Sequence, residues 1–236
     1  MTATSRRSAR FLWAVVSAVL VETIVTGLAL LPAVLFVHWQ STWTMSTGGR
    51  LIVAAMAFAP LYLLCACVLV VASALSTRLL GWRTPAPVEL PLREFSWPVL
   101  DWGRYLISTH VVRVFAGPAF RSTTIWNWYM RLNGARLGRD VWVNSLSLMD
   151  HNLLEFGDGV VIGSDAHVSG HVVERGVLKT AAVRLGAQTL IGTGSVVGIG
   201  VEAEPGAQVG ALTVVPKFMR LAAGAVYTGV PATRVH

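Results

Sequence analysis

Residues 185–214 read LGAQTL, IGTGSV, VGIGVE, AEPGAQ and VGALTV, which are five consecutive six-residue steps. Each step opens on an apolar residue, and glycine follows it in four of the five. The same step begins at Leu137 and recurs up to a step that opens at Val215, with one extra residue at Glu155 and a break over 174–184. A six-residue period of one short strand and one turn is typical of a parallel β-helix.

The first positions of the steps predict the interior of this fold. Seven of the twelve are followed by glycine, and the fifth positions are mostly small or β-branched. Three steps close one triangular coil, so twelve steps predict about four coils over 136–236, with 218–236 packing as a cap or arm. The twelve first positions are all apolar: Leu137, Val143, Met149, Phe156, Ile162, Val168, Leu185, Ile191, Val197, Ala203, Val209 and Val215.

Two long apolar stretches precede the repeat. Residues 11–37 contain one charged side chain, Glu22, and residues 51–75 contain none. Each stretch exceeds the roughly 20 helical residues that cross the hydrocarbon core of a bilayer. A cleaved signal peptide also begins with basic residues, but its apolar run is shorter. We therefore predict a transmembrane α-helical hairpin within 1–82.

Composition and charge agree with a membrane protein. Of the 236 residues, 54% are hydrophobic and 13% are charged, with a net charge of +7. This excludes a disordered chain and disfavours an ordinary soluble globule, in which about 25% of residues are charged. Arginines cluster before the first span and after the second, while the connector carries only Arg50. The positive-inside rule then places both termini, and the repeat, in the cytoplasm.

Residues 83–135 are predicted to form a linker and interfacial segments. Three prolines mark the linker at 85–91, and tryptophan, tyrosine and arginine alternate over 97–131. This mixture suits segments that lie on an anionic membrane surface. It also occurs in proteins that bind nucleic acid, but its position behind a membrane hairpin favours the bilayer, so no nucleic-acid partner is expected.

The stretch WYMRLNGARLG at 128–138 and the tail TGVPA at 228–232 carry a family resemblance. The repeat resembles the left-handed β-helix, hexapeptide-repeat acyltransferases. More narrowly, both stretches resemble the membrane-attached segment at the C-terminus of poly-lysine-type nonribosomal peptide synthetases. The resemblance implies acyl transfer from acyl-CoA, acetyl-CoA or an acyl carrier thioester. It also implies a homotrimer with sites between protomers.

Interruptions of the repeat indicate where the chemistry lies. Stacking of coils places Asp150, His151 and His171 near one corner, about 4.8 Å apart vertically, and Glu174 opens the extruded loop there. We predict that His171 is the general base for a hydroxyl or amine acceptor, oriented by Asp150 or Glu174. His151 is the second candidate for a catalytic histidine.

The resemblance supports the first of these histidines. The relatives are expected to carry a His-x-x-Glu motif, which is His171 to Glu174 in this sequence. Lys217 and Gly210, on the last predicted coil, are the candidates for holding the anionic donor. The acceptor is predicted to be a small molecule or an amphiphile at the membrane surface. No metal is expected for this reaction.

Two alternatives remain open at this point. His151, His167 and His171 are also compatible with the three-histidine zinc site of β-helical carbonic anhydrases. The repeat is equally compatible with a non-catalytic assembly module held at the membrane, because fold alone does not establish function.

Overall fold

The computed structural model describes residues 3–235, and its first half is helical. Two long helices form an antiparallel pair at the N-terminus, and three shorter helices follow. A 3-10 turn over Leu92–Glu94 precedes the third helix. The helices are α1 (Ala3–Ser41), α2 (Thr47–Leu80), α3 (Trp97–Phe115), α4 (Gly117–Phe120) and α5 (Thr124–Leu132).

The second half consists of short strands stacked in parallel on three faces. The strands are β1 (Glu89–Pro91), β2 (Arg136–Leu137), β3 (Trp142–Val143), β4 (Leu154–Phe156), β5 (Val161–Ile162), β6 (His167–Val168), β7 (His171–Glu174), β8 (Val177–Thr180), β9 (Val183–Leu185), β10 (Leu190–Ile191), β11 (Val196–Val197), β12 (Glu202–Ala203), β13 (Gln208–Val209), β14 (Val214–Val215), β15 (Arg220–Leu221), β16 (Val226–Thr228) and β17 (Thr233–Arg234).

The three faces form a triangular parallel β-helix. One face orders its strands β15-β12-β9-β4-β2, the second β17-β16-β13-β10-β5-β3, and the third β14-β11-β6. The hexad sequence is that of the left-handed class of this fold. Ten of the twelve predicted first positions are buried, and together they form the core of the coils. The predicted interior is therefore correct for these ten positions.

The first coil differs from the prediction by one residue. Leu148, not Met149, pairs with Val168 on the third face, and Leu148 is buried while Met149 is partly exposed. The chain then makes a 3-10 turn over His151–Leu153 and re-enters the stack with β4, in which Phe156 is the inward residue that pairs with Leu137. The extra length of this corner lies between 148 and 156, and is not a single residue at Glu155.

The tail also continues the stack further than expected. β15 pairs with β12 and β16 pairs with β13, so the chain completes two sides of a fifth coil. Only the end of the predicted cap, β17, turns back antiparallel against β16. The added strands cover the apolar end of the fourth coil.

The break in the repeat forms an extruded β-hairpin. β7 pairs antiparallel with β8, and β1 adds to the outer side of β8. The predicted linker therefore includes a strand that ties the helical half to the loop next to the candidate site.

The helical hairpin carries the features of two membrane spans. Ser5–Ser41 and Thr47–Leu80 are long and apolar enough, by length and composition, to cross a membrane. α3 packs along both helices: Arg104 donates to the Ser17 hydroxyl of α1 at 2.9 Å, and the hydroxyls of Ser108 and Ser73 of α2 lie 3.0 Å apart. Part of the segment predicted to lie at the membrane surface is thus a third helix against the hairpin.

Candidate active site

A buried carboxylate and a partly exposed imidazole meet where the repeat is interrupted. His171 Nδ1 lies 2.6 Å from Asp150 Oδ2. The Asp150 side chain is fully buried, while 18% of the His171 side chain is exposed. Asp150 lies two residues after the Leu148 bridge, and His171 begins the extruded hairpin three residues after Val168. Coil stacking therefore brings together the two residues that the sequence placed at one corner.

The Asp150 carboxylate is held by four groups. Oδ1 accepts from the Thr84 hydroxyl at 2.6 Å, and Oδ2 accepts from the Gly170 amide at 3.0 Å. The Ser169 hydroxyl lies 3.2 Å from Oδ2, beside the His171 contact. Burial favours the neutral acid, but the hydrogen bonds from His171, Thr84 and Ser169 outweigh it and lower the pKa of Asp150. The carboxylate is therefore charged at neutral pH.

The backbone of Asp150 makes this arrangement possible. Its φ of 59° and ψ of 53° lie in the left-handed region, where aspartate and asparagine are tolerated better than most residues. Gly170 completes the close approach, because a Cβ at that position would lie 3.0 Å from the Asp150 Cβ. The corner thus depends on a local departure from the regular coil.

Trp102 orients the other side of the His171 ring. The two ring centroids lie 5.0 Å apart at an interplanar angle of 70°, which is an edge-to-face contact. Trp102 belongs to α3, and Thr84 follows α2 directly. Both halves of the protein therefore contribute to the corner.

His151 points into a buried aromatic cluster instead of the exposed corner. It is 2% exposed, and the rings of Tyr105, Trp126 and Tyr129 surround it in edge-to-face geometry, with centroids 5.6 to 6.4 Å away. Burial lowers its pKa to about 4, against the opposing charge of Asp150. The imidazole is therefore neutral at physiological pH and packs behind the corner.

Glu174 and Lys217 form an ion pair with each other at the far end of β7. Lys217 Nζ donates to Glu174 Oε1, and Lys179 Nζ lies 3.7 Å from Oε2. The Lys217 hydrogen bond and the two ammonium charges lower the pKa of Glu174. Of the two carboxylates proposed to orient His171, the structure therefore places only Asp150 against the imidazole.

Gly210 lies between coils. A Cβ there would come within 2.8 Å of Thr228 Cγ2, so close stacking accounts for a glycine at this position. Its predicted role in donor binding stays a prediction.

The three histidines of the zinc alternative are not brought together. His167 is exposed on β6 while His151 is enclosed by aromatic rings. Within residues 3–235, no group of three or more His, Cys, Asp or Glu side chains is placed to hold a metal ion. The observed geometry gives that alternative no support.

Four residues of the corner were not predicted from the sequence: Ser169, Gly170, Thr84 and Trp102. Ser169 precedes His171 by two residues, so its proximity to the motif was the available signal. Thr84 and Trp102 lie 66 and 69 residues from their partners along the chain, and neither belongs to a recognisable motif.

One characterised sequence relative was found. No protein-family model matches the chain. It is 27% identical over 136 residues to the Delta-poly-L-ornithine synthetase of Acinetobacter baumannii (strain AB307-0294). The match covers 58% of this chain but only 10% of the synthetase. The chain therefore spans about a tenth of that relative's length.

Several solved structures are similar to part of the chain. A maltose O-acetyltransferase from Clostridium difficile 630 has a TM-score of 0.41 and 15% identity, over 55% of this chain and 86% of that one. A hexapeptide-repeat acetyltransferase from Vibrio cholerae has a TM-score of 0.38 and 14% identity, over 54% and 91%. The synthetase and the acetyltransferases correspond to the two kinds of protein that the sequence resembles. The activities in their names are those of the named proteins.

Proposed function

We propose that the protein is a membrane-anchored acyltransferase in which His171 is the general base. The observation that carries this proposal is the pair formed by buried Asp150 and partly exposed His171. A buried carboxylate is costly unless its hydrogen bonds are made, and here they are made by the residues around the imidazole. Such an arrangement fixes the ring of a histidine that must exchange protons.

The direction of proton transfer that we propose follows from the contact at Nδ1. In neutral His171, Nδ1–H donates to Asp150, so Nε2 carries the free lone pair. Nε2 removes the proton of a hydroxyl or amine as that group attacks the thioester carbonyl carbon. The carbon–sulfur bond then breaks, and the imidazolium returns its proton to the thiolate. Asp150 stabilises the imidazolium without becoming protonated.

The donor is proposed to be acyl-CoA, acetyl-CoA or a carrier-bound acyl thioester. Lys217 and Lys179 lie around Glu174, and their side chains are 41% and 33% exposed. Phosphate groups of such a donor would replace the carboxylates of Glu174 and Glu89 as the partners of these two ammonium groups. When bound, the donor supplies the activated acyl group, and the protein supplies the base and the cations.

Membrane anchoring is supported by the surface of the hairpin. Large apolar side chains are exposed along both helices, among them Leu12, Ile24, Val34 and Phe58. Contiguous exposed apolar surface of this extent requires a membrane or a partner protein. The arginine distribution favours cytoplasmic termini and a catalytic domain on the cytoplasmic face. The acceptor would then be an amphiphile, or a small molecule, that reaches the corner from the membrane surface.

A homotrimer is the assembly that the family resemblance favours. Among residues 3–235, both carboxyl oxygens of Glu22 in α1 are buried without a hydrogen-bond partner. In the proposed trimer, a helix of a neighbouring protomer would supply that partner. The assembly is tested by the mass of the detergent-solubilised protein.

The direct test is thioester consumption by purified protein in detergent, with acetyl-CoA, longer acyl-CoAs and a panel of hydroxyl and amine acceptors. We expect His171→Ala to lower acceptor-dependent release of free thiol by about 10²- to 10⁴-fold. His38→Ala is the control, because His38 is exposed in the last turn of α1, next to the connector of the hairpin, and it should retain turnover. Equal turnover in wild type and His171→Ala would refute the proposed base. Absence of turnover with every donor and acceptor would favour the assembly module.

A further inference from the structure

A pocket rich in arginine opens where α2 ends. Arg78, Arg83 and Arg131 line it, and its volume is about 310 Å³. Its eleven lining residues, all within the described part of the chain, include no aspartate or glutamate. Three cations therefore face one cavity without a carboxylate to neutralise them.

The guanidinium groups of this pocket differ from the cations of the β-helix. On the coils, Arg139 pairs with Asp158, and Arg184 pairs with Glu155 and Glu202. Within residues 3–235, the side chains of Arg78 and Arg83 make no hydrogen bond or ion pair. Arg131 uses one nitrogen for the carbonyls of residues 137 and 138 and keeps its other donors free.

The neutral polar groups of the lining are largely used within the protein. Thr77 donates to Asn133 Oδ1 at 3.2 Å, and Asn152 Nδ2 donates to the Thr84 carbonyl at 2.9 Å. Tyr105 is the exception: it is 1% exposed, and its hydroxyl has no hydrogen-bond partner. The donors that remain for a ligand are mainly arginine N–H groups, which bind phosphate oxygens well.

The pocket lies at the end of the apolar part of α2. Leu79, 84% exposed, and Leu80 share a helical turn with Arg78. Trp128, 67% exposed, lies one turn before Arg131 on α5. Exposed leucine next to exposed tryptophan and arginine is the pattern of the membrane–water interface. The arginines therefore lie at the level of lipid phosphates if the hairpin spans the bilayer.

We propose that this pocket binds the phosphate group of an anionic membrane amphiphile. The inference rests on the proposed membrane anchoring but not on the proposed acyl transfer. A phosphate diester offers one negative charge and several acceptor oxygens to three guanidinium groups that have no carboxylate partner in the pocket, and its chains would extend towards the exposed leucines.

The pocket shares a segment with the candidate active site. Arg83 precedes Thr84, whose hydroxyl donates to Asp150, and Asn152 of the lining holds the Thr84 backbone. A phosphate bound by Arg83 is thus one residue away from the group that orients the carboxylate. The site binds the amphiphile beside the proposed chemistry.

The test is native mass spectrometry of the full chain in neutral detergent, titrated with phosphatidylglycerol, phosphatidylcholine or inorganic phosphate. The variant is Arg78→Gln combined with Arg83→Gln. The control is Arg175→Gln combined with Arg234→Gln, which removes the same charge from two exposed arginines elsewhere. We expect the variant to lose phosphatidylglycerol affinity by about fivefold for each arginine, and the control to match wild type.

The outcomes separate the source of the phosphate and the two proposals. Preference for phosphatidylglycerol that is lost only in the Arg78/Arg83 variant supports a lipid ligand. Inorganic phosphate that binds through the same arginines, without any lipid preference, supports the phosphate site but overturns the lipid source. Equal affinity in variant and wild type overturns the site. Incorporation into phosphatidylcholine nanodiscs tests the anchoring, and thiol release on the same samples tests acyl transfer independently.

Discussion

Acidic side chains have opposite environments in the uninterrupted coils and at the interrupted corner of the β-helix. On the third and fourth coils, Glu202 stays at the surface and accepts from Arg184 at 3.0 Å. At the corner, Asp150 is enclosed and accepts from Thr84, Gly170 and His171. Surface ion pairs contribute little to stability, whereas a buried carboxylate is tolerated only with its hydrogen bonds made. The comparison supports the proposal that the regular repeat is the scaffold and that its interruption is the active site.

The backbone is likewise regular in the coils and irregular at the corner. Inward positions of the regular coils follow one another every six residues, as from Ile191 to Val197 to Ala203. At the corner, eight residues separate Leu148 from Phe156, and Asp150 adopts a left-handed conformation. The irregular backbone turns a polar side chain towards the space between coils, where groups from distant segments reach it.

The largest expected effect is a loss of turnover, and it distinguishes the two carboxylates of this comparison. Asp150→Asn keeps the size and the tolerance of left-handed φ, but it removes the charge that stabilises the imidazolium and fixes its tautomer. We expect turnover to fall by about 10³- to 10⁴-fold. Glu202→Gln changes only two surface ion pairs, with Arg184 and Arg220, and should leave turnover unchanged. The measurement is acceptor-dependent thiol release per folded molecule.

Circular dichroism of both variants is the control for folding. A folded Asp150→Asn protein with wild-type turnover would show that the buried carboxylate has no part in the reaction. An equal loss in Glu202→Gln would remove the distinction between corner and coil.

The second prediction concerns stability in acid. Burial lowers the pKa of His151 to about 4 from its ordinary value of 6.5. Between these values the unfolded chain binds a proton that the folded chain does not. The free energy of unfolding therefore decreases as pH falls through this window, by up to roughly 3 kcal/mol. His151→Phe should flatten this part of the profile in denaturant titrations.

The neighbouring carboxylate acts in a different range. The folded pKa of Asp150 is lowered, so its contribution to stability is present above about 3.8 and is lost as pH falls further. Burial also lowers the pKa of His167, which adds a slope of the same sign below 6.5, so His151 is measured by the difference between wild type and His151→Phe. An identical slope in wild type and His151→Phe would show that the buried imidazole is not the cause.

The regular half of the molecule was largely predictable from its sequence. The six-residue period identifies the coils because every step has the same local structure, which is an inward-facing apolar residue followed by a turn. Position along the coils then places Asp150 and His171 at one corner without knowledge of any long-range contact. The two apolar stretches likewise correspond to α1 and α2.

The interrupted corner was less predictable from the sequence, and the reason is physical. The register at Leu148 depends on its packing against Val168. The six-residue period does not predict this contact, because the period is broken at that corner. Thr84 and Trp102 reach the corner through tertiary packing of segments that have no repeat. The sequence therefore located the candidate site but did not predict the distant groups that hold Asp150 and His171 there.

The third prediction concerns close packing between coils. A Cβ at Gly192 would lie 2.5 Å from the Ala211 nitrogen, in the backbone of the next coil. Gly192→Ala should lower the free energy of unfolding by about 1–3 kcal/mol, because the coils cannot separate locally. Gly103→Ala is the control: it meets open space in α3 and should be neutral or stabilising by up to about 1 kcal/mol. Denaturant midpoints of the two variants that do not differ would contradict the predicted close stacking.

The smallest expected effect is the most specific for the corner, and it compares two buried threonines. Thr84→Val keeps the shape of the side chain but removes the hydroxyl that donates to Asp150 at 2.6 Å. That hydrogen bond lowers the pKa of Asp150, so its loss should raise the pKa and move the acid limb of the pH–turnover profile upward. Turnover at neutral pH should fall by about fivefold, the equivalent of roughly 1 kcal/mol. Thr213→Val is the matched change within a regular coil, where the hydroxyl makes only a 3.4 Å contact with the Ala211 carbonyl, and its profile should coincide with wild type. A Thr84→Val protein that loses stability while its acid limb stays in place would show that Thr84 packs the corner without tuning its carboxylate.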